Sequence, residues 1–419
     1  MHNKQTILFF FPHNPYPPKS GAHKRCLEML TGLRERGCRV ILASLTDVSR
    51  KSWNVSSIKK LEETFVEKVF IYELHFWEQN YLKFLRKFYK LARAKSSLSS
   101  VLYTTPAMRS WFSKLIKEIS PDLIFMNYAY WDGLINHKEL RTITRVIETH
   151  DLLTLNNQMR EYIQPYLTDY FFRDKDIESE ILNEEIFKKL DLKASIEELN
   201  IYDKYDYTIA ISQEEANIIQ QHNKKSNTIL IPVTQQTHPI LNEYTGSAIF
   251  PIGENLFNIQ GYLYFIKRVL PQILQVEPSF TVDVTGSFWN NVSLEPCPGV
   301  EIKGFVPSLE AVYQQSKFLI CPVFGGTGQQ VKVVEAMAYG LPVVALSQAA
   351  KSSPIKHGIN GFIANNAEEF AKYSVLLWQQ KELCYQLGTA ARETIAKEFS
   401  RTQLLEKLAL LTQPKSLNN

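Results

Sequence analysis

The sequence predicts an α/β protein built as two doubly wound domains in tandem. Three observations predict it. Short apolar runs of strand length alternate with stretches of helical period. The alternation occurs twice, on either side of a polar break at residues 234–246. The chain has 419 residues, more than one ordinary hydrophobic core accommodates.

Composition narrows the function classes. With 45% hydrophobic and 21% charged residues, the chain is of the ordinary globular kind. A formal net charge of +4 is too small to imply a nucleic-acid partner, and none is expected. Cys26, Cys38, Cys297, Cys321 and Cys384 are scattered, with no C-x-x-C pair. They read as reduced thiols of a cytosolic protein, not as a disulfide frame or a zinc site. The apolar run at residues 7–11 ends at Pro12, too short for a signal segment or a membrane span.

The elements follow in order. Residues 7–11 read as a buried strand. An open loop rich in proline leads to Gly21, and a helix with Leu27, Leu30 and Leu33 on one face stops at Gly37. Residues 39–45 and 67–74 read as the next strands. Residues 122–127 and 144–148 are two more, the latter running into His150 and Asp151. Residues 160–202 are charged and helical. A strand at 207–211 precedes SQEE, in which Ser212 caps a helix and Glu215 stands three positions on. Residues 228–233 complete the first half. In the second half, strands are expected at 248–252, 280–284, 300–305, 318–321 and 343–346. Helices are expected at 259–274, 309–316 and 329–338, and from Asn366 onward with a break near Phe399. The expected domains are 1–235 and 236–390, with a helical segment at 391–419 packing back on the first.

The most informative stretch is ICPVFGGTGQQVKVVEAMAYGLPVVAL, residues 320–346. It reads as strand, glycine loop, helix, glycine stop and strand. A glycine loop feeding a helix offers backbone N–H groups and the positive end of the helix dipole, which suits phosphate. Lys332 and Glu335 are three apart and share a helix face. A cation and a carboxylate there suit a ligand with a diphosphate and a sugar hydroxyl pair. The loop is neither a Walker motif nor a dinucleotide fingerprint, so a structural turn remains open on these residues alone.

With GGTGQQVKVVEAMAYGLPVV and HGINGFI in place, the chain resembles the retaining nucleotide-sugar glycosyltransferases of family 4. PYPPKSGAHKR, ETHD, YTIAISQEE and GFVPSLEAVYQQSKFLICP support the resemblance in the same order along the chain. The resemblance implies the GT-B fold, two Rossmann-like domains with the cleft between them. It implies that Glu335, the second glutamate of an E-x7-E motif, holds the donor ribose. The place of the first glutamate is taken by Thr327, so the chain is a variant of the pattern. His150 matches a position that approaches the donor sugar, and with Glu335 it is the implied catalytic pair. Gly21 matches a loop near the donor phosphate, where Arg25 adds charge or lies on the helix surface. Gly304, Phe305 and Val306 match the segment whose backbone reads the base. Gly326, Thr327, Gly328, Gln329, Gln330 and Lys332 complete the implied donor site.

The expected activity is therefore a retaining, metal-independent, hexosyltransferase-like glycosyltransferase of glycan biosynthesis. It would act in the cytoplasm on a glycan, lipid-linked or small-molecule acceptor, with no cofactor beyond the nucleotide diphosphate sugar. A catalytically weak accessory homologue and a nucleotide-sugar epimerase are the alternatives. Asp174-Lys175-Asp176 has the D-x-D form of a metal motif, but no strand precedes it, so it reads as a solvated helix and no metal site is expected. Residues 76–95 read as a basic helix with Trp77, Tyr81, Phe84, Phe88 and Leu91 on one stripe. Two readings stand open: a stripe facing the core, or a face from Trp77 to Lys95 that lies on an anionic membrane, making the protein peripheral on its inner face.

Overall fold

The computed structural model describes residues 4–46, 52–91, 102–167, 175–238, 242–253, 255–286 and 297–412. The chain forms two units, Met1–Thr154 with Ala194–Pro232 and Thr402–Asn419, and Leu155–Lys193 with Val233–Arg401. Each has its own parallel sheet.

The first sheet has seven strands: β1 (Thr6–Phe10), β2 (Arg39–Thr46), β3 (Lys68–Glu73), β4 (Leu123–Asn127), β5 (Thr144–Glu148), β6 (Tyr207–Ala210) and β7 (Asn227–Leu230). Their order is β3-β2-β1-β4-β5-β6-β7, and every pairing is parallel. The central strands are covered on both faces, which is why β1 and β4 read as unbroken apolar runs rather than alternating ones. The Phe9 and Phe125 rings stack at 4.5 Å between centroids. The helix Gly21–Glu35 adds Leu27, Leu30 and Leu33 to this core. The helix Arg401–Leu411 adds Leu404, Leu408 and Leu411, spaced four and three along one face. The helices Val55–Thr64 and Pro106–Ile119, each with an N-cap side chain, complete the alternation, and the second buries Met108, Phe112, Leu115 and Ile116 on one face.

The second sheet has β8 (Ala248–Pro251), β9 (Val282–Thr285), β10 (Val300–Gly304), β11 (Leu319–Cys321), β12 (Val343–Leu346) and β13 (Gly361–Ala364). The order is β10-β9-β8-β11-β12-β13, again all parallel. The HGINGF stretch turns at Gly358 and enters β13, where a Cβ on Gly361 would stand 2.6 Å from the Val343 carbonyl oxygen. The single helix expected at 259–274 is three pieces: Leu256–Tyr264, a π turn at Phe265–Val269, and Leu270–Val276. Pro271 lacks an N–H for the regular ladder, which accounts for the wider turn before it. Residues 155–193 pack with this unit through Ile163, Leu167, Ile181, Ile186 and Phe187.

In both sheets the strand order reverses beside the first strand, between β1 and β4 and between β8 and β11. Crossovers leave those points in opposite directions, opening a crevice at the carboxyl ends of the strands where ligands bind in such sheets.

Candidate functional site

At the reversal in the second sheet, β11 runs into the glycine loop. Gly325 lies against the Phe257 ring, where a Cβ would come within 2.2 Å of the ring carbon. Gly326 has φ +93°, a conformation that favours glycine. Thr327 is buried, and the loop delivers the chain into the helix Val331–Ala338. The N-cap residue Gln330 supplies no side-chain cap. The first turn therefore has no side chain from that position competing with a ligand for its N–H groups. The side chain of Gln329 is committed elsewhere, accepting from the Val233 N–H at 2.7 Å.

Lys332 bridges the reversal. Its Nζ donates to Asn258 Oδ1 at 2.7 Å and to the Pro251 carbonyl at 3.3 Å, at the carboxyl end of β8. It also lies 5.0 Å from the Phe250 ring centroid. Among the described residues no carboxylate pairs with it, and burial lowers its pKa from the ordinary lysine value. Glu335 is half-buried one turn on, beside Tyr313 and Tyr339. Burial first, and then the charge of neighbouring carboxylates including Glu335, raises both phenol pKa values. Gly304, Phe305 and Val306 stand at the carboxyl end of β10, on the same sheet edge. Three strand spacings, about 14 Å, separate β10 from β11. Phe305 is exposed there, and Gly304 has φ +66°.

At the reversal in the first sheet a different cluster forms. β4 ends in Asn127 and β5 in Glu148, and His150 follows two residues later with φ +60°. Asn127 donates through Nδ2 to the Phe10 carbonyl at 2.7 Å, so its Oδ1 faces His150 Nε2, also at 2.7 Å. That pairing makes Nε2 the protonated nitrogen and leaves Nδ1 as the acceptor. Tyr128, with φ +65°, stacks on the imidazole at 4.2 Å. Burial drives the His150 pKa down to about 4; Glu148 opposes the shift and Arg25 reinforces it. At neutral pH His150 is an uncharged ring that can accept a hydrogen bond from a hydroxyl. It is not a proton donor for a leaving group.

Gly21 opens the helix Gly21–Glu35 behind Ser20, whose hydroxyl accepts from the His23 N–H. Arg25, one turn on, points inward. Its guanidinium donates to Glu148 at 2.6 Å, Glu28 at 2.9 Å, and the Ile231 and Pro232 carbonyls at 2.7 and 2.9 Å. It ties the helix to β5 and to the end of β7, and it is buried rather than on the helix surface.

Asn127, Tyr128 and Asn258 belong to these clusters and were not singled out in the sequence. A polar residue closing a wholly apolar strand, as Asn127 does, is the one signal available. Among the described residues no group of three or more His, Cys, Asp or Glu side chains could hold a metal ion. Asp174 lies outside the described residues, and of the D-x-D stretch only the helical backbone from Lys175 is placed. The five cysteines are free thiols.

Residues 248–380, the second unit's sheet and glycine loop, match the family model described as glycosyl transferases group 1. An uncharacterized glycosyltransferase of Haemophilus influenzae is 26% identical over 213 residues, 48% of this chain and 60% of the relative. The match thus spans less than two thirds of that relative's length. Sucrose-phosphate synthase of Thermosynechococcus elongatus superposes with a TM-score of 0.64 at 14% identity, covering 97% of this chain and 98% of that one. HepE of Anabaena, solved with UDP and glucose, gives 0.60 at 15% identity with the same coverage. At these identities the two structures establish a shared fold, the GT-B arrangement of two Rossmann-like domains.

Proposed function

We propose that the chain is a glycosyltransferase that transfers a sugar from a nucleoside diphosphate sugar to a glycan or lipid-linked acceptor. The observation that carries the proposal is Lys332. A lysine held by Asn258 and the end of β8, with no carboxylate partner among the described residues, leaves a positive charge uncompensated at the switch point. The glycine loop and the uncapped helix start lie beside it. When the bond from the sugar carbon to the diphosphate oxygen breaks, negative charge grows on the departing phosphate. Preorganised N–H groups and an ammonium stabilise that charge without a metal. The match to glycosyl transferases group 1 supports this use of the loop. HepE, with its bound UDP and glucose, supports a uridine nucleotide as the first donor to try.

In this reading Glu335 accepts hydrogen bonds from the ribose and the neutral His150 accepts one from a sugar hydroxyl. Retention of configuration follows from the family resemblance, and independence of metal and a cytoplasmic site of action are parts of the same proposal. Thr327, in the place of the first motif glutamate, favours a second reading, an accessory subunit that binds donor but transfers poorly. Thermal shift against a panel of nucleoside diphosphate sugars, followed by a transfer assay in excess chelator, separates them. A bound donor at about 100 times its dissociation constant stabilises by ~2.7 kcal/mol. Binding and transfer in chelator support the enzyme. Binding without transfer supports the accessory reading. No stabilisation by any donor overturns both.

A further inference from the structure

The helix Phe76–Leu91 turns its aromatic stripe outward. Phe76, Trp77, Tyr81, Phe84 and Phe88 are 68, 59, 41, 67 and 58% exposed. This removes the core-facing reading of the stripe. The helix is held instead by another face. Glu78 is fully buried and accepts from Tyr72 Oη at 3.0 and 3.1 Å, from the His75 N–H at 3.1 Å and from Thr105 Oγ1 at 2.5 Å. Leu82 is buried one turn on, and Arg86 donates to the Leu102 carbonyl at 3.0 Å with its guanidinium over the Tyr103 ring. The anchoring face leaves Trp77, Tyr81, Phe84 and Phe88, at spacings of four, three and four, as a ridge about 16 Å long.

Exposed aromatics in such a row need a partner, since isolated surface apolar residues are ordinary but a contiguous stripe is not. The charge around the stripe selects it. Lys83 and Lys87 are exposed along one flank, and Glu78, the only acid of the helix, is buried and engaged. Pairing two copies through a two-fold axis would bring basic flanks together with no exposed acid on the helix to offset them. Aromatic rings with an apolar body, flanked by lysines whose stems can lie along them, match the headgroup region of an anionic bilayer.

We propose that this helix is a peripheral membrane-binding surface for anionic lipid, lying in the plane of the bilayer. Among the described residues no helix is long and apolar enough to cross a membrane, so the contact is interfacial. The helix begins three residues after β3, at the carboxyl edge of the first sheet. Four strand spacings, about 19 Å, separate β3 from β5, which leads to His150 on that edge. A bilayer under the helix would therefore lie along the edge that holds His150. The surface stands or falls independently of the transfer reading, because vesicle binding is read without activity.

The test is flotation of the full chain with phosphatidylcholine vesicles, with and without phosphatidylglycerol, at low salt. The unaltered protein should float with the anionic vesicles and lose that binding as salt rises. Each base near the surface is worth about fivefold in affinity, so Lys83→Glu with Lys87→Glu should weaken binding by roughly 25-fold or more. Replacing Trp77, Phe84 and Phe88 together by Ser should abolish it, with the thermal unfolding transition unchanged. Binding indifferent to phosphatidylglycerol, no binding by the unaltered chain, or unchanged binding by the serine variant overturns the proposal. So does a dimer in sedimentation velocity that the serine variant loses while vesicles are ignored.

Discussion

Lys332 is the side chain on which the proposed donor site turns, and its two roles can be separated. In the free protein its ammonium is held by two neutral oxygens, and burial depresses its pKa. A methionine of similar length keeps the packing against Phe250 and loses the charge. Lys332→Met should therefore leave the unfolding free energy within ~1 kcal/mol of the unaltered value. Nucleoside diphosphate affinity should fall by about 2–3 kcal/mol, the scale of a charge-assisted hydrogen bond. Titration calorimetry and a melting curve on the same preparation give both numbers. An unchanged affinity would remove Lys332 from the site. The lysine was legible in the sequence because its spacing to Glu335 and the glycine loop are local properties. Asn258 and Asn127 were not, because their roles come from neighbours brought together by the strand order. Arg25 was legible as a charge but not as a buried one, since its partners Glu148, Ile231 and Pro232 lie far along the chain.

Elements were legible where period and caps agreed. β5 and β12 lie where apolar runs ended in polar residues or glycine, and Ser212 caps its helix by accepting from the Glu215 N–H. Glu215 reaches one residue further back than a capping box, accepting from the Ile211 N–H. Ser57 makes the reciprocal box with Asn54 at the start of the helix Val55–Thr64. The helix Gly21–Glu35 shows what period alone omits. Its leucine face was readable, yet its position is also fixed by Arg25, buried against the wholly buried Glu148. Removing one member of such a pair strands the other charge. Arg25→Met should cost about 3–5 kcal/mol, and adding Glu148→Met should restore most of it, because a buried ion pair is often matched by an apolar pair. A double-mutant cycle in urea measures this. A single-variant loss under ~1 kcal/mol would mean that the pair is not closed in solution.

At the scale of the whole molecule, three ionisable groups in or beside the core of the first unit make its stability depend on pH, two in one sense and one in the other. Glu215 is held well above the carboxylate range, by burial first and then by the charge of Asp151. Glu198 is raised by burial despite its bonds to Leu153, Thr154 and Tyr202. Both keep a proton in the folded state that the unfolded chain releases above its ordinary carboxylate pKa. Their contribution falls as pH rises from there through the folded value. His150 acts in the opposite sense. Its folded pKa of about 4 lies below the unfolded 6.5, so between those values the unfolded chain binds more protons. Stability from His150 is therefore complete above pH 6.5 and is lost as pH falls toward 4, by about 3 kcal/mol in all. His150→Asn removes this term and leaves the carboxylates in place. The stability difference between unaltered and variant protein should then change by that amount between pH 7 and pH 4, whatever constant offset the lost contact to Asn127 adds. Urea unfolding across that range, followed at the first unit's transition, gives the difference. If it stays the same at every pH, His150 is not the buried neutral ring that the Asn127 and Tyr128 contacts describe.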